Sequence, residues 1–302
     1  MYVNRPNAKI FYQATGSGGS DVFLLGPLQP TVDSRAWKYQ IPYLSRCFRV
    51  VTMDQRGSGR SDRPPQGYDL ETRYADLLAV LTEAVRPPFA FVAFSCAAMV
   101  AFRYVVEHPD RVSHLVLIGG QYAESVPQPF EEKVARVISG DFDGWRSRLW
   151  RRVLQEPHSL KGIEDGIAWT GETTPEVLVE SLRAIDGTNV YDLLPRVQVP
   201  TLAIHGTRDK IVPYSHAQKM VAAIPGARLV TFEGGGHALA GREMVKVNRL
   251  IRDFVLGRSV DAGTIPPTTE RTTPPRARRS SERRVLWLSS PIGLGHIQRD
   301  LA

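Results

Sequence analysis

Cysteine is scarce in this chain: Cys47 and Cys96 are the only two in 302 residues. A pair so spaced makes neither a disulfide framework nor a metal-ligand pattern, which excludes small stapled folds and structural zinc modules. Long apolar runs are missing too. No stretch approaches the roughly 20 residues that span a bilayer, so no membrane partner is expected. The opening residues MYVNRPNAKI lack a basic-then-apolar leader pattern, and the corresponding expectation is a cytoplasmic protein. An excess of acid is absent as well, since the net charge is +7. Eight arginines and four acids lie from Arg258 onward, a balance of +4, which leaves +3 for everything before it. No basic stripe interleaved with aromatics runs through that earlier part, so no nucleic-acid partner is expected. What remains is an ordinary globular composition, 42% hydrophobic, in a chain long enough for one large domain and an extension.

The most informative stretch is residues 89–101, FAFVAFSCAAMVA. Residues 89–94 are apolar, aromatic and β-branched and too short for a helix, which predicts a buried strand. Residues 96–108 predict a helix that opens on small residues and closes at His108-Pro109. Ser95 stands at the junction, with Ala93 and Ala97 two positions to either side. That placement fits a strand-to-helix turn holding a nucleophilic hydroxyl above a sheet, where bulky neighbours would collide. The usual pattern there is Gly-x-Ser-x-Gly, and both glycines are alanines here. The same residues also fit an ordinary serine capping a helix.

A serine hydroxyl needs a base, and the base needs an orienting carboxylate. Residues 200–213, PTLAIHGTRDKIVP, predict a strand and then a loop carrying Asp209. Residues 227–240, ARLVTFEGGGHALA, predict a second strand, a glycine-rich loop and His237. Taken singly, Asp209 suits an Asx-turn and His237 suits a plain loop position. Together they give the order Ser95, Asp209, His237, each just past a strand's carboxyl end, the edge where open α/β sheets carry their sites. His205 falls inside a strand, and His108 and His114 flank a loop; these three read as structural.

With these residues placed, residues 1–257 resemble the α/β-hydrolase superfamily. Residues 52–62, TMDQRGSGRSD, look like its signature loop after the fourth strand, with Gly57 and Gly59 permitting a reversal and Asp54 and Arg56 tying it down. Residues 103–118 and 200–209 are similar to it as well. The resemblance implies a mostly parallel central sheet flanked by helices, with Ser95 as nucleophile, His237 as general base and then acid, and Asp209 as the orienting acid. It implies no cofactor and no metal. The dehalogenase and epoxide-hydrolase branches, which need a carboxylate in place of Ser95, are excluded.

One departure concerns the oxyanion hole. The family usually carries His-Gly and then an amide-bearing residue after its third strand, whereas VFLLGPLQ has Leu25 for the histidine and Pro27 after Gly26. Proline has no N–H to donate. The Cys96 N–H is expected to supply one donor and Leu28 N–H the other, with the Gln29 side chain as the alternative. Loss of one such donor costs on the order of 3–4 kcal/mol. The opening residues also look like bacterial hydrolase domains fused to cyclases or other effectors. Two functions therefore stand open: a serine hydrolase of small carboxylic esters, and a ligand-sensing domain regulating a fused effector. Carbon–carbon cleavage and perhydrolysis would use the same three residues.

Residues 121–195 break the strand–helix rhythm. Helical spacing over 130–139, 145–155 and 175–185 predicts an inserted helical lid carrying Trp145, Trp150 and Trp169, either as lid core or as lining of a substrate pocket. Residues 258–284 are rich in Pro, Thr, Ser and Arg and predict a disordered linker. Residues 285–302, VLWLSSPIGLGHIQRDLA, resemble the first strand and loop of glycosyltransferases built from two Rossmann-like domains. That resemblance implies a truncated second domain, with His296 at the acceptor-base position and a fused glycosyltransferase as possible partner.

Overall fold

Strand β5 (Phe89–Phe94), the segment that leads into Ser95, lies in the middle of a sheet that has nine strands among the described residues. The computed structural model describes residues 1–123, 132, 134, 137, 141–156 and 159–267. The helix expected over 130–139 falls largely outside these residues, and the C-terminal segment with its glycosyltransferase-like start and His296 falls wholly outside them. The sheet order is β1-β2-β4-β3-β5-β6-β7-β8-β9. Its strands are β1 (Tyr2–Arg5), β2 (Ala8–Thr15), β3 (Asp21–Leu25), β4 (Arg49–Met53), β5, β6 (Val112–Ile118), β7 (Thr201–Gly206), β8 (Arg228–Phe232) and β9 (Gly263–Ile265), and a short helix, α1 (Ile41–Leu44), precedes β4. The β1–β2 and β2–β4 pairs are antiparallel, and every other pair is parallel.

The central strands read as unbroken apolar runs because both of their faces are covered. Phe23, Phe91, Leu115 and Leu117 face one layer, formed by α2 (Leu70–Ala84) and α3 (Ala97–Glu107), with a further helix, Tyr214–Ala223, on the same side. Val22, Val92, Val116 and Ile204 face the other, where the helix Met244–Val255 presents Val247, Ile251 and Phe254 at helical spacing. Asp69 caps α2 by accepting the Thr72 N–H at 2.8 Å.

Between β6 and β7 the chain leaves the sheet and forms α4 (Phe142–Val153), α5 (Leu160–Thr170) and α6 (Pro175–Arg183). This is the inserted helical lid, and α5 is a helix that sequence spacing did not reveal. Its apolar positions are interrupted by Lys161, Glu164, Asp165 and Gly166. The tail differs from expectation at its start. Residues 263–265 pair in parallel with Val230–Phe232 as the sheet's last strand, and Val260 is buried in the core. The compact unit therefore runs from Met1 to Pro267 instead of stopping at 257. A short β-branched segment beside an open sheet edge gains ladder hydrogen bonds that composition does not reveal.

The loop 52–62 is fastened as its residue types suggested. The Asp54 carboxylate accepts the Ser34 and Arg60 N–H groups, both at 2.9 Å. Arg56 meets Asp76 of α2 in a two-pronged pair, 2.6 and 2.8 Å, and donates to Gly67 O at 2.6 Å. Both side chains are sealed from solvent. Removing one partner strands the other charge in the interior, so Asp76→Ala is expected to lower stability by about 3–5 kcal/mol. Urea unfolding would show this as a lower midpoint with an unchanged slope.

Candidate active site

Ser95 has φ of 58°, and among the described residues it is the sole non-glycine with positive φ. A left-handed backbone costs a serine on the order of 1–3 kcal/mol and persists only when its surroundings over-determine it. They do so here. Ser95 N–H donates to Ile118 O at 3.0 Å, while Ser95 O accepts from Ala98 N–H at 3.1 Å and Gln121 N–H at 3.2 Å. Ala93 and Ala97, both fully buried, leave the space that this tight turn requires.

Asp209 and His237 come to the same rim from the ends of β7 and β8. Gly206 makes this approach possible, because a Cβ there would lie 2.2 Å from Gly235 O in the loop that carries His237. Arg208 N–H then bonds Gly235 O at 2.9 Å and locks the two loops together. Asp209 Oδ1 accepts the Ile211 and Val212 N–H groups, both at 2.8 Å. Its Oδ2 lies 2.7 Å from His237 Nδ1, and His237 Nε2 lies 3.1 Å from Ser95 Oγ. All three side chains are buried, and the Phe94 ring lies against the imidazole with centroids 4.9 Å apart. Gly119, at φ 55°, closes the back of the site, where a Cβ would sit 3.2 Å from the imidazole.

Desolvation pushes the Asp209 carboxyl up, but the facing His237 and His205 rings and the Val212 N–H outweigh it and hold the group below its ordinary value. It is a carboxylate at neutral pH and can only accept. In the neutral imidazole Nδ1 therefore carries the hydrogen, leaving the Nε2 lone pair toward the Ser95 hydroxyl. His205 lies beneath, with Nε2 2.9 Å from Val212 O and 3.4 Å from Asp209 Oδ2. Burial pushes its pKa down and keeps it neutral. His108 packs at a tilt on Tyr104 and His114 packs edge-on against Phe254, both away from the rim.

The oxyanion region corrects one expectation. Leu28 N–H does not face Ser95; it donates to Cys96 Sγ at 3.2 Å. The sulfur, fully buried next to Ser95 in the chain, captures the amide. The Cys96 N–H, at the N-cap of α3, has no intrahelical acceptor, and among the described residues it donates to no other residue's backbone. Gln29 is half-buried on the wall of a cavity of about 150 Å³ that also contains Ser95 and His237.

Trp145 and Trp150 of α4 line this cavity, whereas Trp169 does not. Trp169 borders a second cavity of about 220 Å³, across a wall shared through Val32, Phe94, Trp150 and Val153. The Lys38 ammonium lies 5.4 Å from its ring centre. Trp150 is fixed by its indole N–H, which donates to Thr170 Oγ1 at 2.8 Å, and Thr170 in turn bonds Thr31 O at 2.9 Å. The lid is thereby tied to the loop that bears Gln29. Sequence reasoning missed Gln121, Leu178, Leu182 and Ile211 of the lining. Leu178 and Leu182, four apart on a helix, were readable as one apolar face; the others are loop or lid-edge residues with no local signal.

Among the described residues no cluster of His, Cys, Asp and Glu is arranged to hold a metal ion, and no helix is long and apolar enough to cross a membrane. Known proteins resemble the chain over most of its length. It is 26% identical to the AB hydrolase superfamily protein YisY of Bacillus subtilis, over 81% of this chain and 94% of that protein. It is 29% identical to the non-heme haloperoxidase of Rhodococcus erythropolis, over 82% of this chain and 96% of that protein. The solved structure of an esterase from Exiguobacterium antarcticum superposes with a TM-score of 0.75, covering 82% of this chain and 96% of its own, at 24% identity. Residues 26–240 match the family model of the alpha/beta hydrolase fold. With that match spanning strands β4 to β8, the lid and the three rim residues, the chain belongs to the alpha/beta hydrolase fold family.

Proposed function

We propose that this protein is a serine hydrolase of small, neutral carboxylic esters or related acyl compounds. The observation that carries the reading is the series Ser95 Oγ, His237 Nε2, His237 Nδ1 and Asp209 Oδ2, joined at 3.1 and 2.7 Å. His237 takes the Ser95 proton as Oγ attacks the carbonyl carbon, and Asp209 steadies the imidazolium that forms. The tetrahedral oxyanion receives the Cys96 N–H. His237 returns the proton to the leaving alcohol, and the acyl-enzyme remains. Water then attacks that ester, gives its proton to His237, and the acid departs as Ser95 recovers its hydrogen.

The substrate class follows from the cavity. About 150 Å³ is the size of a hole that holds one benzene ring, well short of a drug-sized site. Its walls are Trp145, Trp150, Leu178 and Leu182, and its polar groups beyond the triad are the neutral Gln29, Gln121 and Thr31. A short or single-ring acyl group fits, and no charged side chain of the lining invites an anionic or cationic one. The Rhodococcus haloperoxidase and the Exiguobacterium esterase are named for different reactions, so the acceptor of the acyl group is a separate variable from the triad.

A second reading, a binding domain with little turnover, draws on one observation: position 27 is a proline with no N–H, and the N–H of Leu28 is diverted to sulfur. Labelling separates the two. A fluorophosphonate probe is expected to modify the protein once, at the peptide containing Ser95, with stoichiometric loss of turnover. Modification elsewhere, or none, removes the hydrolase reading and leaves the binding domain.

A further inference from the structure

The loop after β3 converges on sulfur where oxyanion donors are usually aimed. Leu28 N–H donates to Cys96 Sγ at 3.2 Å. The sulfur in turn lies 2.6 Å from the Gln29 side-chain Oε1. Cys96 is fully buried, and burial pushes its thiol pKa up, so at neutral pH the sulfur carries a proton. An S–H facing an amide fixes how that amide is turned. The carbonyl oxygen faces the thiol, and the NH₂ group, attached to the same carbon, faces away from it. None of the hydrogen bonds among the described residues uses that NH₂. Gln29 meanwhile borders the cavity shared by Ser95, His237 and Pro27.

We propose that the Gln29 side-chain NH₂ is the second oxyanion donor, replacing the backbone N–H that Pro27 lacks, and that Cys96 is the positioning residue that holds it. The inference rests on Ser95 being the nucleophile. Its chemistry is economical. The residue after the nucleophile supplies one donor through its backbone, and its thiol orients the other. A side-chain amide in this role stabilises the developing negative charge as a backbone amide does, and its removal slows acyl transfer by about 10²–10³-fold. The device also accounts for the diverted Leu28 amide, which fills the acceptor side of the sulfur and leaves the S–H directed at Gln29.

The test uses the full chain, p-nitrophenyl acetate turnover, and the rate of Ser95 phosphonylation by a fluorophosphonate. Gln29→Glu keeps an oxygen for the thiol but has no donor. Gln29→Met has similar length, no donor and no charge. Both are expected to lower kcat and the phosphonylation rate by about 10²–10³-fold with KM changed by less than about threefold, the signature of an interaction made in the transition state. Cys96→Ala is expected to lower kcat by about tenfold, and Cys96→Ser, which restores a donor hydroxyl, to recover most of it. Wild-type kcat in either Gln29 variant overturns the donor role, and so does a loss confined to Gln29→Glu, which would report only added charge. Equal rates in Cys96→Ala and the wild type overturn the positioning role. Turnover that survives Ser95→Ala would instead remove the hydrolase reading, whereas a dead Ser95→Ala beside active Gln29 variants removes this inference alone.

Discussion

Ser95→Ala is expected to lower kcat on a short-chain p-nitrophenyl ester by about 10⁶-fold, the scale seen when a triad nucleophile is removed. Three features make the effect this large. In the proposed reaction the hydroxyl is the atom that becomes covalently bonded to the acyl carbon, so no neighbour can take its place. Its proposed base, His237, is already in position, 3.1 Å away. The turn that presents it is held by three backbone hydrogen bonds, to Ile118, Ala98 and Gln121, which the substitution leaves intact. Alanine keeps the Cβ, and with it the cost of φ at 58°. The melting temperature is therefore expected to stay within a few degrees of wild type, which separates lost chemistry from lost fold. Steady-state kinetics and a thermal melt on the same preparation give both answers. A variant that still forms an acyl-enzyme, detected by mass, would point to a different nucleophile.

Asp209→Asn is expected to lower kcat by about 10⁴-fold while the structure stays in place. The reason lies in how the two carboxylate oxygens are used. Oδ1 accepts the Ile211 and Val212 N–H groups, so an asparagine places its carbonyl oxygen there and its NH₂ toward His237 Nδ1. Two donors cannot face each other. The imidazole then carries its hydrogen on Nε2, where it can no longer take the Ser95 proton. The pH dependence of stability follows from the same residue. Folding lowers the Asp209 pKa from 3.8, so its contribution is fully present above about that pH. It fades as acid titrates the group through its lower folded value. Calorimetric melts taken from neutral pH down to about pH 2 should lose this part of their acid dependence in the asparagine variant. A variant with undiminished kcat at neutral pH would show that the carboxylate does not set the tautomer.

Much of this was legible along the chain because it depends on local signals. Phe89–Phe94 is a short, wholly apolar run, and the structure makes it a strand covered on both faces. Asp209 and His237 each follow such a run, and parallel strands deliver their carboxyl ends to one edge, so order alone brought the three residues near one another. The lid was visible as a break in rhythm. Its helix α5 was not, because polar residues and Gly166 interrupt the apolar spacing. Gly166 is there for packing, since a Cβ would lie 2.1 Å from the Trp150 ring. The strand at Gly263–Ile265 was hidden for a different reason: three residues of modest hydrophobicity become a strand only where an edge is open to receive them.

Residue types and their spacing by themselves determined the class of fold, the order of the rim residues and the missing N–H at Pro27, because each is a property of neighbours in the chain. Only the folded arrangement decided which groups touch. Sulfur at position 96 meets the Leu28 amide and the Gln29 side chain across a gap of 68 and 67 positions. Trp150 enters the cavity while Trp169 lies beyond its wall. Such contacts are set by how a loop, a lid and a sheet edge pack in three dimensions, and no periodicity in the chain records that geometry.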